Sequence, residues 1–325
     1  MKLHGPRTGQ LMSLIAALVW STTGPGLKYM LEAHHSSQLA LAFWRDAIIA
    51  LACFGALLIV KPALLHITRR EASHYALVGA ISIGIYHGLW TWSIGLNGAS
   101  VAIVMIYLFP TFVSVGAWLV YGEKLYWPQI LALLISLAGC ALLVRLYDPE
   151  VFRVSWLGAV VGLMTALTHT VYVLFNQHSV QNRSPWTSLS YTMLFGSMTL
   201  LVLLVGAQML QSFNLISQPS TVQGAFFLGN GWLPWLVVIG LALGPTLGGY
   251  AIFTQALRHI PASVASLIVV IEAPISTLIA VWFLGERLEW PQVLGMAFIL
   301  GAIGLPSLLE RLAPTRLTAS PHTLE

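Results

Sequence analysis

Runs of about twenty apolar residues, each closed by a short polar or turn-forming stretch, recur along the whole chain. A helix needs roughly 20 mostly apolar residues to cross a bilayer. That length marks ten segments: 11–33, 37–60, 74–96, 99–121, 126–146, 156–178, 186–211, 232–257, 262–284 and 290–309. His34–Ser36, Lys61–Ser73, Gly122–Lys124, Arg183–Pro185 and Arg258–Pro261 are among the separators. The shortest, Asn97-Gly98, predicts a tight hairpin between segments 3 and 4. The pattern predicts an all-α membrane protein with ten transmembrane helices.

Part of this pattern occurs twice. Ser100–Gln129 and Ser263–Gln292 align without a gap at an offset of 163, with ten of thirty positions identical. Each copy enters on Ser-Val-Ala and leaves on Gly-Glu-(Lys/Arg)-Leu-x-Trp-Pro-Gln. A weaker match, Leu14–Leu18 on Leu163–Leu167 at an offset of 149, extends the likeness to the first segment of each half. The turn Gly122-Glu123-Lys124 follows segment 4, and Gly285-Glu286-Arg287 follows segment 9. Five segments separate them, an odd number, so the copies insert with opposite polarity. The expected organisation is two inverted five-helix repeats, 9–147 and 155–310, with a polar tail at 311–325. Inverted repeats let the two halves exchange conformations around a central site, which is how alternating-access carriers work.

Composition agrees with the pattern. Hydrophobic residues make up 57% and charged residues 8% of the chain, against roughly 25% charged in soluble domains. Most of the surface must therefore face lipid. The net charge of +4 is spread out, with no basic run to engage nucleic acid. Of the 15 Lys and Arg, ten fall on the side of both termini, four on the other side, and Arg45 inside segment 2. Positive charge collects in cytoplasmic loops, so both termini are expected to be cytoplasmic, in the plasma (inner) membrane. The apolar stretch from Leu11 to Leu31 has no small-residue cleavage site, which predicts a retained signal-anchor helix. Cys53 and Cys140 lie in apolar runs without metal or redox spacing and are expected to pack. HExxH, GxSxG and P-loop motifs do not occur, so no enzyme activity, metal or cofactor is expected.

Polar side chains at membrane depth are costly and mark function. Ser82, Tyr86, Trp90, Ser93 and Asn97 form one stripe at helical spacing on segment 3, and Thr165, His169, Tyr172 and Asn176 form another on segment 6. His169 aligns with Trp20. The candidate substrate-binding residues are Trp20, Tyr86, Trp90, Tyr107, His169, Tyr172 and Tyr250. Trp92 is expected to anchor at the interface, and His87, between Gly84 and Gly88, to sit at a close helix contact. The ladders Ala80/Gly84/Gly88 and Gly240/Gly244/Gly248 are expected to let backbones approach. Pro25, Pro110, Pro245 and Pro274 break helices and free the carbonyls four residues back, as static kinks or as gating hinges. Arg45 is too deep to snorkel. Its adjacent Asp46 points to another helix face and is a poor partner, which leaves a distant carboxylate such as Glu272, or substrate. Glu272, near mid-depth, is either a paired strut or a proton-coupling group. Glu123 and Glu286 are expected to cap or pin the helices that follow them.

Ala262-Ser-Val-Ala-Ser, Glu272-Ala-Pro274, Gly285-Glu-Arg-Leu, Gly295 and Gly301 together resemble the EamA-type module of the drug/metabolite transporter superfamily. So do Tyr107-Leu-Phe-Pro110, Gly122-Glu-Lys-Leu and Gly139, with Arg45 in Leu-Ala-Phe-Trp-Arg-Asp. One departure is that Pro110 aligns with Ala273, one position from Pro274. The resemblance implies a carrier with segments 1–4 and 6–9 around a central cavity and segments 5 and 10 peripheral. It also implies small metabolites as cargo, often exported amino acids. The sequence reading is thus an exporter of small organic metabolites, foremost aromatic or apolar amino acids. Its partners are a small-molecule substrate, the lipid bilayer and protons as the candidate coupling ion, and it is a monomer or homodimer. The rivals are an intramembrane enzyme using Glu272 and His169, and a facilitative channel.

Overall fold

The computed structural model describes residues 5–149, 155–213, 226–284 and 287–312, and every regular element among them is helical. Segment 1 is two helices, α1 (Pro6–Trp20) and α2 (Thr23–His34), parted at Ser21–Thr22. α3 (Gln38–Val60) starts at an N-cap Ser37 that accepts from the Ala40 N–H. α4 (Arg69–Gly79) opens on a capping box between Thr68 and Glu71 and runs through a π-helical stretch, Ala80–Ile85, into α5 (Tyr86–Ile106). There follow α6 (Phe109–Tyr121), α7 (Trp127–Leu143), α8 (Trp156–Asn182), α9 (Pro185–Ser212) and α10 (Leu233–Leu241). A second π-helical stretch, Ala242–Thr246, leads into α11 (Leu247–Ala256). α12 (Ala262–Val269), α13 (Glu272–Leu284) and α14 (Trp290–Leu312) complete the described chain. Six stretches are long and apolar enough to cross a membrane: Gln38–Val60, Val101–Tyr121, Trp156–Asn182, Pro185–Leu210, Leu233–Ala256 and Ala262–Phe283. Trp127–Leu143 and Trp290–Pro306 are shorter apolar helices. Glu286 and most of the 311–325 tail lie outside the described residues.

Solvation preferences are reversed relative to a water-soluble bundle. Ile59 and Trp282 are each 85% exposed, while Asp46, Ser82, Asn176, Ser188 and Thr254 are fully buried. Lipid accepts the hydrocarbon, and the polar groups find partners only inside.

The backbone is helical through Asn97-Gly98, within Tyr86–Ile106, where the spacing predicts a tight hairpin; the order of contacts along α8 reverses between Asn97 and Phe109. Tyr75, Tyr86 and Asn97 meet α8 at Ser179, His169 and Gly158, descending. Phe109 and Tyr121 then meet it at Thr170 and Leu174, ascending. Asn97 donates to Ser93 one turn back and to the Gly158 carbonyl of α8.

α7 and α14 run antiparallel. Gln292, at the start of α14, donates to the carbonyl of Leu143 at the end of α7. Gly139 faces Gly295, and Ala132 and Ala302 share an apolar cluster. The 163-residue offset maps Gly139 onto Ala302 and Gly295 onto Ala132, so the two contacts are copies of each other. A Cβ at Gly139 would stand 2.7 Å from the Gly295 carbonyl oxygen, with Ile299 and Phe298 at 2.9 and 3.0 Å. Gly139→Val is therefore expected to force α7 from α14 and cost about 1–3 kcal/mol, read as a lowered melting temperature of the purified protein.

The two glycine ladders behave differently. Gly84 lies against Thr199 and Gly196 of α9, as expected. Gly240 and Gly244 have no neighbour within 4 Å of an added Cβ, so the second ladder is not a packing seam. The close approach is one residue past its end, at Gly249, where Trp20 fills the space.

Candidate functional site: a central cavity

The helix breaks converge on a cavity of about 210 Å³. None of the four prolines lines it, but each adjoins a residue that does: Gly24, Phe109, Thr246 and Ala273. The prolines end or re-aim helices so that these neighbours face inward. Their freed carbonyls fare differently. Leu241, four residues before Pro245, accepts from the Thr246 hydroxyl at 2.8 Å. Val270, expected to be freed by Pro274, is taken by the Ala273 N–H at 3.1 Å. The Ser21 carbonyl, four residues before Pro25, takes no backbone hydrogen bond among the described residues.

Of the candidate substrate-binding residues, Trp20, Tyr86, Trp90, Tyr107, His169 and Tyr250 line the cavity. Trp20 meets Tyr250 edge-on at 5.1 Å, and Tyr86 lies against His169 at 4.8 Å. The hydroxyls of Tyr86, Tyr107 and Tyr250 make no hydrogen bond to the described residues. They are left for whatever enters.

Tyr172 requires a correction. It is fully buried, its hydroxyl is paired with Thr254 at 2.9 Å, and it does not line the cavity. It packs edge-on to Tyr250 at 5.0 Å and stacks 6.2 Å from His169, buttressing two wall residues from behind. Asn176, one turn further along the same stripe, accepts from Ser188 at 2.7 Å.

The environment of Arg45 also differs from expectation. Arg45 Nη2 donates to His87 Nε2 at 2.9 Å, and His87 Nδ1 donates to Asp46 Oδ2 at 2.6 Å. Arg45 Nε stands 3.6 Å from Asp46 Oδ1. Arginine only donates and a carboxylate only accepts, so these contacts assign His87 as the neutral Nδ1–H tautomer. Neighbouring helical positions diverge at Cβ, but a third residue on α5 gathers both side chains. Asp46 is thus the partner of Arg45, and His87 is a polar bridge lining the cavity rather than a packing residue.

Glu272 begins α13 and faces the cavity without a hydrogen bond or ion pair to any described residue. Ser276, one turn on and so on the same face, lines the cavity too, with Thr277 beside it. Thr23 and Gly24 of α2 lie opposite; a Cβ on Gly24 would stand 3.4 Å from Ser276 Oγ. Thr23, Ser276 and Thr246 were not read from the sequence as site residues. The i+4 spacing from Glu272 was the available signal for Ser276.

The cavity extends toward the end of α7, at Leu143 and Val144. At the opposite end of the bundle, where α6 finishes, polar contacts tie the helices together. Gly122, in the left-handed region at φ 67°, ends α6 and turns the chain into Glu123. Glu123 accepts from Gln177 at 2.7 Å and from Ser263 at 2.6 Å, and Gln177 accepts the Ala262 N–H. Arg258 donates to the Val180 carbonyl at 3.1 Å beside them. Among the described residues no group of three His, Cys, Asp or Glu could hold a metal ion.

Residues 7–145 and 156–308 each match the sequence profile of the EamA-like transporter family. The chain belongs to that family and is a multi-pass membrane protein of transporter type. It is 26% identical over 321 residues to the uncharacterized inner membrane transporter YicL of Salmonella typhimurium, covering 94% of this chain and 97% of that one. It is 25% identical over 297 residues to a probable terminal-alkyne amino-acid exporter of Streptantibioticus cattleyicolor, covering 91% and 90%. The match to an uncharacterized transporter of Archaeoglobus fulgidus spans 65% of that protein, at 23% identity. A solved crystal structure superposes with a TM-score of 0.74 at 18% identity, covering 95% of this chain and 99% of the other, a likeness of fold.

Proposed function

We propose that this protein is a ten-span secondary carrier of two inverted five-helix repeats, 9–147 and 155–310, exporting small organic metabolites by alternating access. Aromatic or apolar amino acids are the foremost cargo. Both termini are cytoplasmic, in the plasma (inner) membrane. The observation that carries this reading is the central aromatic cavity, which reaches the α7 end of the bundle while the Glu123 contacts tie the two halves of the chain together at the other end. The antiparallel α7–α14 pair, whose contacts map onto each other through the repeat offset, supports the inversion. At about 210 Å³ the cavity is below the roughly 300–1,000 Å³ of drug-sized pockets, which favours a compact metabolite. Glu272 offers a carboxyl group to the amine of an amino acid, and the relative named as an amino-acid exporter points the same way.

The test is counterflow in proteoliposomes. Saturable exchange of labelled for unlabelled aromatic amino acids is the expected result; non-saturable flux points to a channel, and product formation without a gradient points to an enzyme. Cysteine labelling is expected to place Glu123 inside and Glu286 outside, and labelling of both from one side removes the inversion. Tyr86→Ala or Trp90→Ala is expected to weaken exchange several-fold while the protein stays folded. A ring contact contributes about 0.5–1.5 kcal/mol beyond area burial. Unchanged kinetics in both variants would take α5 out of the binding site.

A further inference from the structure

An ionised carboxylate held away from bulk water is stable only when neutralised or paired. Asp46 is paired with His87 and Arg45, and Glu123 with Ser263 and Gln177. Glu272 lines the cavity with no such partner. The groups around it are oxygens as well. Ser276 Oγ makes no hydrogen bond to the described residues, and Thr23 Oγ1 is buried without a partner. Across the break between α1 and α2, Gly24 brings that segment against Ser276 without a side chain in between. Among the described residues, the cationic side chain that lines the cavity is already engaged: Arg45 holds His87 and Asp46 on the α3–α5 wall. The remaining wall is aromatic, with Trp20, Tyr86, Trp90 and Tyr107 lining the same cavity as Glu272. A carboxyl group and two hydroxyl oxygens without partners among the described residues, with ring faces beside them, suit a compact cation with several N–H donors.

The geometry points to Glu272, Ser276 and Thr23 as the subsite for a primary ammonium group of the cargo, with the apolar body of the cargo against Tyr86, Trp90 and Trp20. This rests on the carrier reading and narrows it: the cargo must present a compact amine, and a carboxylate alone does not suffice. The same carboxylate accepts either a proton or the ammonium, but not both. Loading cargo therefore expels the proton from Glu272, which links export to proton entry by competition for one group.

The test uses the purified full chain with two probes of equal ring and chain, 2-phenylethylamine (amine only) and 3-phenylpropionate (carboxylate only), by titration calorimetry and thermal shift. Wild type is expected to bind the amine more tightly than the carboxylate. Glu272→Gln is expected to weaken amine binding about tenfold or more and to leave the carboxylate probe unchanged. Ser276→Ala should move the amine the same way by less, and it carries the test if the first variant does not fold. Equal amine affinity in wild type and both variants, or no amine binding by wild type, overturns the subsite. Sodium replacing N-methylglucamine at constant ionic strength separates the other source of positive charge. Stabilisation of wild type but not of Glu272→Gln by sodium alone assigns the site to an inorganic cation and overturns the ammonium proposal. Amine binding through Glu272 without amino-acid counterflow removes the amino-acid reading alone. Counterflow with amine binding indifferent to Glu272 removes the subsite alone.

Discussion

Replacing Arg45 by alanine is expected to remove most of the folded protein, more than any truncation in the aromatic wall. Asp46 is fully buried and Arg45 is 6% exposed, so the substitution strands an anion where neither water nor another cation reaches it. Breaking one side of a buried ion pair costs about 3–5 kcal/mol, a large share of the 5–15 kcal/mol that holds a typical protein together. His87 also loses the donor to its Nε2, leaving a second buried polar atom unmatched. The companion variant Arg45→Met/Asp46→Asn removes both charges while keeping volume and a hydrogen-bond partner for His87. It is expected to recover most of the melting temperature, because replacing a whole buried pair by neutral groups of similar size is close to neutral. Transport should not recover with it, since Arg45 lines the cavity. Monodisperse elution and thermal unfolding measure the first outcome and counterflow the second. Arg45→Ala with wild-type stability would mean that Asp46 finds another partner.

What the sequence made legible follows from how narrow the choices are in a bilayer. Polar groups at mid-depth have only the protein interior to go to, so Tyr86, Trp90, His169 and Glu272 were readable as one site from their depth and spacing. Prolines in apolar runs mark breaks, and each break in fact delivers a neighbour to the cavity. The short separator Asn97-Gly98 marked a change of direction only coarsely: the helix runs on to Ile106, and the contacts along α8 reverse between Asn97 and Phe109.

The misreadings share a cause: spacing defines a face, not what stands opposite it. Tyr172 lies on the stripe of His169, but the cavity ends at the level of His169 and the next residue meets Thr254 instead. Gly240 and Gly244 repeat the spacing of Gly84 and Gly88 while meeting nothing. His87 is flanked by glycines that face α9, yet its own direction, set by one residue of helical rotation, leads to α3. The Arg45–Asp46 pair was missed because adjacent helical positions diverge at Cβ, a rule that says little once a long side chain folds over a third residue.

Removing the Glu123 carboxylate is expected to open the closed end of the cavity. Glu123 lies after α6 in the first half of the chain, and both its partners, Gln177 on α8 and Ser263 on α12, lie in the second. Inward opening must part these elements, so the energy of these bonds is a bias toward the state described here. Hydrogen bonds to a charged group contribute about 1.5–3 kcal/mol each; at partial exposure the lower end applies, and losing both still shifts the balance about tenfold or more. Ser266 reports the change. It is fully buried on α12, between the latch at Ser263 and the cavity wall at Val269. With Cys53 and Cys140 replaced, Ser266→Cys is expected to resist an impermeant maleimide from the cytoplasmic face, and adding Glu123→Ala should raise its labelling about tenfold. Glu123→Gln should fall between, because an amide oxygen still accepts one bond but carries no charge. If labelling of Ser266→Cys is indifferent to residue 123, the contacts merely pin α8 to α12. The closed end must then open elsewhere, with Arg258 and the Val180 carbonyl the next contact to break.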